Sequence, residues 1–198
     1  MGRYDARTAL VVVDLQNDFA DPAGSLAVAG AVHLVPVINQ AVRDALDAGA
    51  AVVATQDWHP ESTPHFAKDG GVWPVHCVAG TWGAELAPGF ELPADAPRVR
   101  KGTNGEDGYS GFTMRDPESA EETPTELEAM LRERGIERVV VCGLATDYCV
   151  LATALDAVRL GFEVELLADA VAAVNLQPTD GERALAEMDE AGVVIGRS

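Results

Sequence analysis

Val139-Val-Val-Cys-Gly-Leu-Ala-Thr-Asp-Tyr-Cys149 is the stretch that decides the fold. Its first half is a short, uninterrupted apolar run, too uniform for a strand with one wet face, so the spacing predicts a strand covered on both sides. Thr146 then offers an N-cap for a helix from Asp147 to about Leu160, which Gly161 closes. A doubly covered strand that feeds a helix is the unit of a parallel α/β sheet. Downstream, Phe162 to Leu167 reads as another strand, Thr179-Asp-Gly-Glu182 as a capping box opening a helix to Ala191, and Val193 to Ile195 as a last strand. Upstream, Thr123-Pro-Thr-Glu126 reads as a capping box with proline at the first helical position, and that helix stops at Gly135.

The N-terminal half repeats the pattern. Thr8 to Asp14 is a buried-type strand ending on an acid, Val32 to Ala48 has helical apolar spacing with Gly49 as its stop, and Ala50 to Thr55 is a strand running into Asp57. From Trp58 to Ala96 periodicity fades among Pro and Gly, a loop length more often functional than idle. Arg98 to Lys101 is a brief strand, and the acidic stretch Asp116 to Glu122 reads as a solvated surface loop. Strand and helix alternate about five times. The expected fold is therefore a doubly wound, mostly parallel α/β sheet with helices on both faces, a Rossmann-type three-layer sandwich, with residues 1–198 as a single domain.

Composition removes several function classes. With 14 Lys plus Arg against 32 Asp plus Glu the net charge is −18, so neither nucleic acid nor an anionic membrane surface is expected as a partner. No run approaches the ~20 apolar residues of a bilayer span, and the first residues lack the layout of a secretory signal, which sets the expectation of a cytoplasmic protein. Cys77, Cys142 and Cys149 form no C-x-x-C pair and are expected as free thiols. No P-loop or G-x-G-x-x-G follows a strand. The pattern leaves a homo-oligomer open, since a sequence shows no exposed patch.

In an open parallel sheet ligands bind beyond the carboxyl ends of the strands. The residues that follow the strand runs are Asp14, Asp57 with His59, Lys101, and the loop Gly143 to Cys149. At the start of a helix, Cys149 meets unpaired amides and the positive dipole end, which favour a thiolate. A nearby lysine adds to that effect, and a carboxylate can accept the thiol proton and later protonate a departing amine. Asp57, His59 and His76 suit a first-row divalent ion with open positions, and His65 is a candidate fourth ligand. His33 stands apart, as a structural histidine. Phe19, Trp73 and Tyr109 lie in loops, where aromatics can sandwich a flat ring.

Five ordered motifs, Asp14-Leu-Gln-Asn-Asp-Phe19, Asp57-Trp-His59, Trp73-Pro-Val-His-Cys77, Lys101-Gly102 with Tyr109-Ser-Gly-Phe112, and Gly143-Leu-Ala-Thr-Asp-Tyr-Cys149, resemble those of the nicotinamidases within the isochorismatase-like cysteine hydrolases. The resemblance runs from about residue 8 to residue 170. It implies a catalytic Asp14, Lys101, Cys149 triad, oxyanion donors at the backbone amides of Ala145 and Cys149, and a cis peptide at Leu144-Ala145. It also implies one divalent zinc, iron or manganese ion on Asp57, His59 and His76, with His65 a further ligand in some members. The implied reaction is hydrolysis of nicotinamide, and of pyrazinamide as well, through a Cys149 thioester, serving NAD salvage. The aromatic ring would lie between Phe19 and Trp73, near Tyr109, with its nitrogen on or near the metal. Another cysteine hydrolase of the same fold, acting on isochorismate or a carbamoyl amide, and a non-catalytic metal or small-ligand binder are the rival readings. Two stretches depart from the family pattern: Gly105-Glu-Asp-Gly108 is slightly longer, and the acidic segment 116–122 has no counterpart.

Overall fold

Residues 2–198 are described by a computed structural model. In chain order the elements are β1 (Thr8–Val13), the single turn α1 (Asn17–Ala20), α2 (Leu34–Asp47), β2 (Ala51–Asp57), β3 (Arg98–Lys101), β4 (Thr113–Arg115), β5 (Glu122–Pro124), α3 (Leu127–Glu133), β6 (Arg138–Leu144), α4 (Leu151–Arg159), β7 (Glu163–Ala172), α5 (Asp180–Glu190) and β8 (Val194–Gly196). Six of the strands form one sheet in the order β3-β2-β1-β6-β7-β8, and every neighbouring pair in it is parallel. The other two, β4 and β5, pair as a small antiparallel hairpin.

Period-two alternation along β1 explains why all six of its residues are buried. Leu10 and Val12 face a core shared with Ile38 and Val42 of α2, whereas Ala9, Val11 and Val13 face one built with Leu127 and Leu131 of α3, Ala154 of α4 and Met188 of α5. The sheet is thus the middle of three layers, as the strand–helix alternation predicts. Strand order reverses between β1 and β6, and that switch point opens a crevice at the carboxyl ends of both. Gly143 permits the close approach there: its φ is +110°, and a Cβ would lie 2.1 Å from the Val13 carbonyl oxygen. Among the described residues no helix is long and apolar enough to cross a membrane.

Local capping signals misread two helix starts; at a third, α5, they place the start correctly after Thr179 but misread the bond that caps it. Thr123 and Pro124 belong to β5, and α3 begins only at Leu127, whose amide donates to the Thr125 hydroxyl at 3.1 Å. Docking of that segment on residues 111–112 explains the difference: the Thr125 hydroxyl donates to the Gly111 carbonyl at 2.6 Å, and the Thr125 amide to that of Phe112 at 2.8 Å. Thr146 does not cap its helix. Residues Thr146–Val150 form a π-turn in which the Ala145 carbonyl accepts the amides of both Tyr148 and Val150, and α4 proper starts at Leu151. The Thr179 side chain makes no cap bond either; Asn175 Oδ1 accepts the Gly181 amide instead, at 2.9 Å. The acidic segment 116–122 is exposed as expected, but it is the tip of the β4–β5 hairpin, an element with too few residues to leave a periodic signal.

Candidate active site

Three strands deliver three reactive side chains to the crevice. Asp14 follows β1 directly with a positive φ of 46°, Lys101 ends β3, and Cys149 sits in the π-turn after β6. All three are buried, at 0%, 1% and 7% exposure, so their mutual contacts are shielded from water. Lys101 Nζ lies 2.8 Å from Asp14 Oδ2 and 3.5 Å from Cys149 Sγ, and it also contacts Asp57 Oδ1. The three N–H donors of one ammonium are thereby committed to two carboxylates and the thiol. Thr55 on β2 fixes the aspartate from the other side: its hydroxyl donates to Asp14 Oδ1 at 2.6 Å and accepts the Asp14 amide at 3.2 Å.

The electrostatics of this group fit proton transfer between Asp14 and Cys149. Burial pushes the Asp14 carboxyl above its ordinary range, an effect that Lys101 opposes and the Asp57 carboxylate reinforces. Burial also drives the Cys149 thiol well up; Lys101 pulls it down, while Asp14 and Asp57 raise it further. For Lys101, burial works against the charge, yet the two carboxylates and the thiol hold its pKa well above the usual lysine value. The resting site therefore keeps a charged lysine, a protonated thiol and a carboxylate that takes up a proton more readily than an exposed aspartate. A general base for the thiol needs that last property.

Beside the thiol lies a cluster suited to a metal. Asp57 Oδ2 is 3.8 Å from both His59 Nε2 and His76 Nε2, beyond hydrogen-bond reach, and the three histidines His59, His65 and His76 bring ligand atoms within 4.8 Å of one another. The His76 ring is oriented by its Nδ1 against the Pro74 carbonyl at 2.7 Å, and that of His65 by its Nδ1 against Asp107 Oδ1 at 2.8 Å. In each case Nε2 is left with a free lone pair. Both ring nitrogens of buried His59 lack a partner, a costly state for polar atoms at 3% exposure that a bound cation would relieve. These residues fit a divalent ion. Gly102 makes room for the ring, since a Cβ there would lie 2.6 Å from His59 Nδ1. Burial acts against the Asp57 carboxylate, but Lys101 and the two histidines hold its pKa well below the ordinary value. Gln16 clamps its backbone, accepting the Asp57 amide and donating to its carbonyl, each at 2.8 Å.

The thiol and the histidines open on one cleft. Phe19, Trp73 and Tyr109 all line it, and Trp73 Nε1 donates to the Tyr109 hydroxyl at 3.0 Å. Sequence reasoning missed Tyr148, whose ring packs edge-on against both Trp73 and Tyr109, and the apolar wall of Leu26, Val28 and Val174. Tyr148 stood inside the quoted Gly143–Cys149 motif and adjacent to the thiol, a position that could have drawn attention; the three aliphatics carried no signal. The Leu144–Ala145 peptide is cis, and the Ala145 carbonyl skips the Cys149 amide while bonding those of Tyr148 and Val150. His33 lies exposed in a turn, Ala31–His33, and does not line the cleft, and the three cysteines are free thiols.

A parallel sheet whose switch point gathers a cysteine, a lysine and an aspartate next to a histidine cluster defines an isochorismatase-like α/β protein. The isochorismatase domain matches residues 8–198, and the chain belongs to that family. It is 39% identical over 203 residues to the nicotinamidase of Escherichia coli, a match covering 94% of this chain and 93% of that protein. The crystal structure of the pyrazinamidase of Pyrococcus horikoshii in complex with zinc is 44% identical, with a TM-score of 0.87 over 97% of this chain and 99% of the other. That of PnC1 from L. infantum in complex with nicotinate is 39% identical, with a TM-score of 0.86 over 98% and 94%.

Proposed function

We propose that this chain is a nicotinamidase, one domain that hydrolyses nicotinamide to nicotinate and ammonia through a thioester on Cys149, and that it accepts pyrazinamide too. The observation that carries the reading is the contact of Lys101 with both Asp14 and Cys149, whose thiol lines a cleft walled by aromatic rings, with a carboxylate and three imidazoles at its side. Relatives that act on, or were crystallised with, pyridine and pyrazine carboxamides or their acid products support it.

Chemically, Asp14 takes the proton of the Cys149 thiol, and the thiolate attacks the carboxamide carbon. The backbone amides of Ala145 and Cys149 accept the charge that develops on the carbonyl oxygen. Asp14 passes its proton to the nitrogen, ammonia leaves, and a thioester remains. Water, deprotonated by Asp14, then releases nicotinate and restores the thiol, so no proton is gained or lost by the enzyme over the cycle. Lys101 keeps the carboxylate ionised between these steps and steadies the thiolate. Phe19, Trp73 and Tyr109 hold the ring. Asp57, His59 and His76, joined by His65, would bind one divalent ion, which when bound supplies a Lewis-acid anchor for the ring nitrogen. The product acid suits a role in NAD salvage.

Ammonia release from nicotinamide, pyrazinamide and a carbamoyl amide, each with and without a chelator, tests the assignment. Turnover of the first two and not the third is expected, and so is its loss in Cys149→Ala with ligand binding retained. Amidase activity surviving in Cys149→Ala refutes the thioester route.

A further inference from the structure

Neither the chemistry above nor the fold accounts for the loop Gly105–Gly108 or for the β4–β5 hairpin, and the two touch. Asp107 and Arg115 exchange both backbone hydrogen bonds, at 2.7 and 2.5 Å, so the loop is stitched onto β4. Gly108 lies flat against the same strand, where a Cβ would come 3.2 Å from the Thr113 carbonyl oxygen. On its other side the loop is tied to the histidine segment: the Thr63 hydroxyl donates to the Gly105 carbonyl at 3.1 Å and accepts the His65 amide at 3.3 Å. Between these two braces the half-buried Asp107 side chain takes the His65 Nδ1–H on Oδ1 at 2.8 Å. The same oxygen accepts the Gly108 amide at 2.9 Å, and Oδ2 meets the exposed Arg115 guanidinium at 3.4 Å.

We infer that Asp107 is a positioning residue for the metal centre: carried by the hairpin-braced loop, it locks the His65 imidazole with the proton on Nδ1 and the Nε2 lone pair turned toward His59 and His76. The inference rests on the metal reading proposed above. Geometry supports the lock. The His65 ring stacks on that of His59, with centroids 4.9 Å apart and planes 21° from parallel, and meets that of His76 at 5.3 Å, and with Nδ1 committed to Asp107 only Nε2 is left for the cluster. An imidazole free to flip would present either nitrogen, and a carboxylate behind Nδ1 removes that freedom. On this account β4 belongs to the metal centre's scaffold.

Two measurements on the full chain test it. In metal-free, ¹⁵N-labelled protein, long-range ¹H–¹⁵N spectra should show His65 as the Nδ1–H tautomer in the wild type and lose that preference in Asp107→Ala. Titration with zinc alone, against a competing chelator, should show Asp107→Ala binding about 10–100-fold more weakly, with Asp107→Asn, which keeps an acceptor and the loop, in between. In a His65→Ala background, Asp107→Ala should cost nothing further. Wild-type affinity in Asp107→Ala, an unchanged tautomer, or losses that add in the double variant would each overturn the inference while leaving the metal reading intact. A wild-type protein that binds no zinc overturns both.

Discussion

Lys101→Met removes one cation from between two buried carboxylates, and its cost follows from the geometry. The ammonium is 1% exposed and touches Asp14 Oδ2 at 2.8 Å, Asp57 Oδ1 and the Cys149 thiol. Methionine fills much the same volume but leaves Asp14, at 0% exposure, with only the Thr55 hydroxyl. Removing one partner of a buried pair costs about 3–5 kcal/mol at neutral pH, because the remaining charge is stranded. In a chain of this size that is a fall of roughly 6–20 °C in Tm. The pH dependence has a definite sign. Burial already raises the Asp14 pKa, and loss of Lys101, which opposes that rise, moves it further up. A group whose folded pKa lies above its unfolded value contributes stability that is complete below the unfolded pKa and is lost as pH rises through the folded one. The variant's deficit is therefore smallest near pH 4 and grows toward neutrality. Adding Asp14→Asn should return part of the loss, with a coupling of about 0.5–3 kcal/mol between the two sites. Urea melts of metal-free wild type, the two single variants and the double variant, at pH 4.5 and 7.5, measure all of this. A deficit equal at both pH values, or a double variant as unstable as the sum of the singles, would refute the claim that a stranded charge is the cause.

Two further predictions follow from individual residues. The ascending limb of the pH profile of kcat/KM reports the ionisation of Asp14 and should lie above the ordinary aspartate value of 3.8, with the descending limb above the ordinary thiol value of 9.0; an ascending limb at or below 3.8 contradicts the base assignment. Gly143→Ala places a methyl 2.1 Å from the Val13 carbonyl oxygen and should cost about 4 kcal/mol or more, whereas Gly161→Ala, with a φ of +83° and nothing within 4 Å of its Cβ, should cost only about 1–2 kcal/mol. Equal losses in thermal unfolding would show that backbone conformation alone, and not the close approach of β6 to β1, selects the glycine.

The sheet was readable because its signal is redundant. A strand covered on both faces, such as β1 or β6, runs without a polar residue after its first position, and the glycines after the helices, Gly49, Gly135 and Gly161, all take positive φ where a stop was expected. Capping signals misled where the backbone ahead of the helix is held in another conformation. Thr125 gives its donor to the Gly111 carbonyl, 14 residues away, and Thr146 opens a turn wider than an α-helix, so a rule built on local spacing places both starts too early. Short antiparallel elements such as β4 and β5 hold three residues each, too few for a period to register.

For the site, legibility follows how many roles a side chain can fill. Asp14, Lys101, Cys149, Asp57, His59 and His76 stand at or just after strand ends or in the long loop, and the topology rule alone nominates most of them, because parallel strands present their carboxyl ends on one edge. What that rule cannot supply is the partner of each nominee. Thr55 is a threonine inside a strand, indistinguishable in sequence from one chosen for β propensity, until the parallel pairing of β1 with β2 sets its hydroxyl 2.6 Å from Asp14. Asp107 is one acid among 32 Asp and Glu residues, and its meaning depends on a loop, a hairpin and a histidine 42 positions away meeting at 2.8 Å. Residues that carry out chemistry are few in type and recognisable; residues that aim them are ordinary, and become visible only when the chain closes on itself.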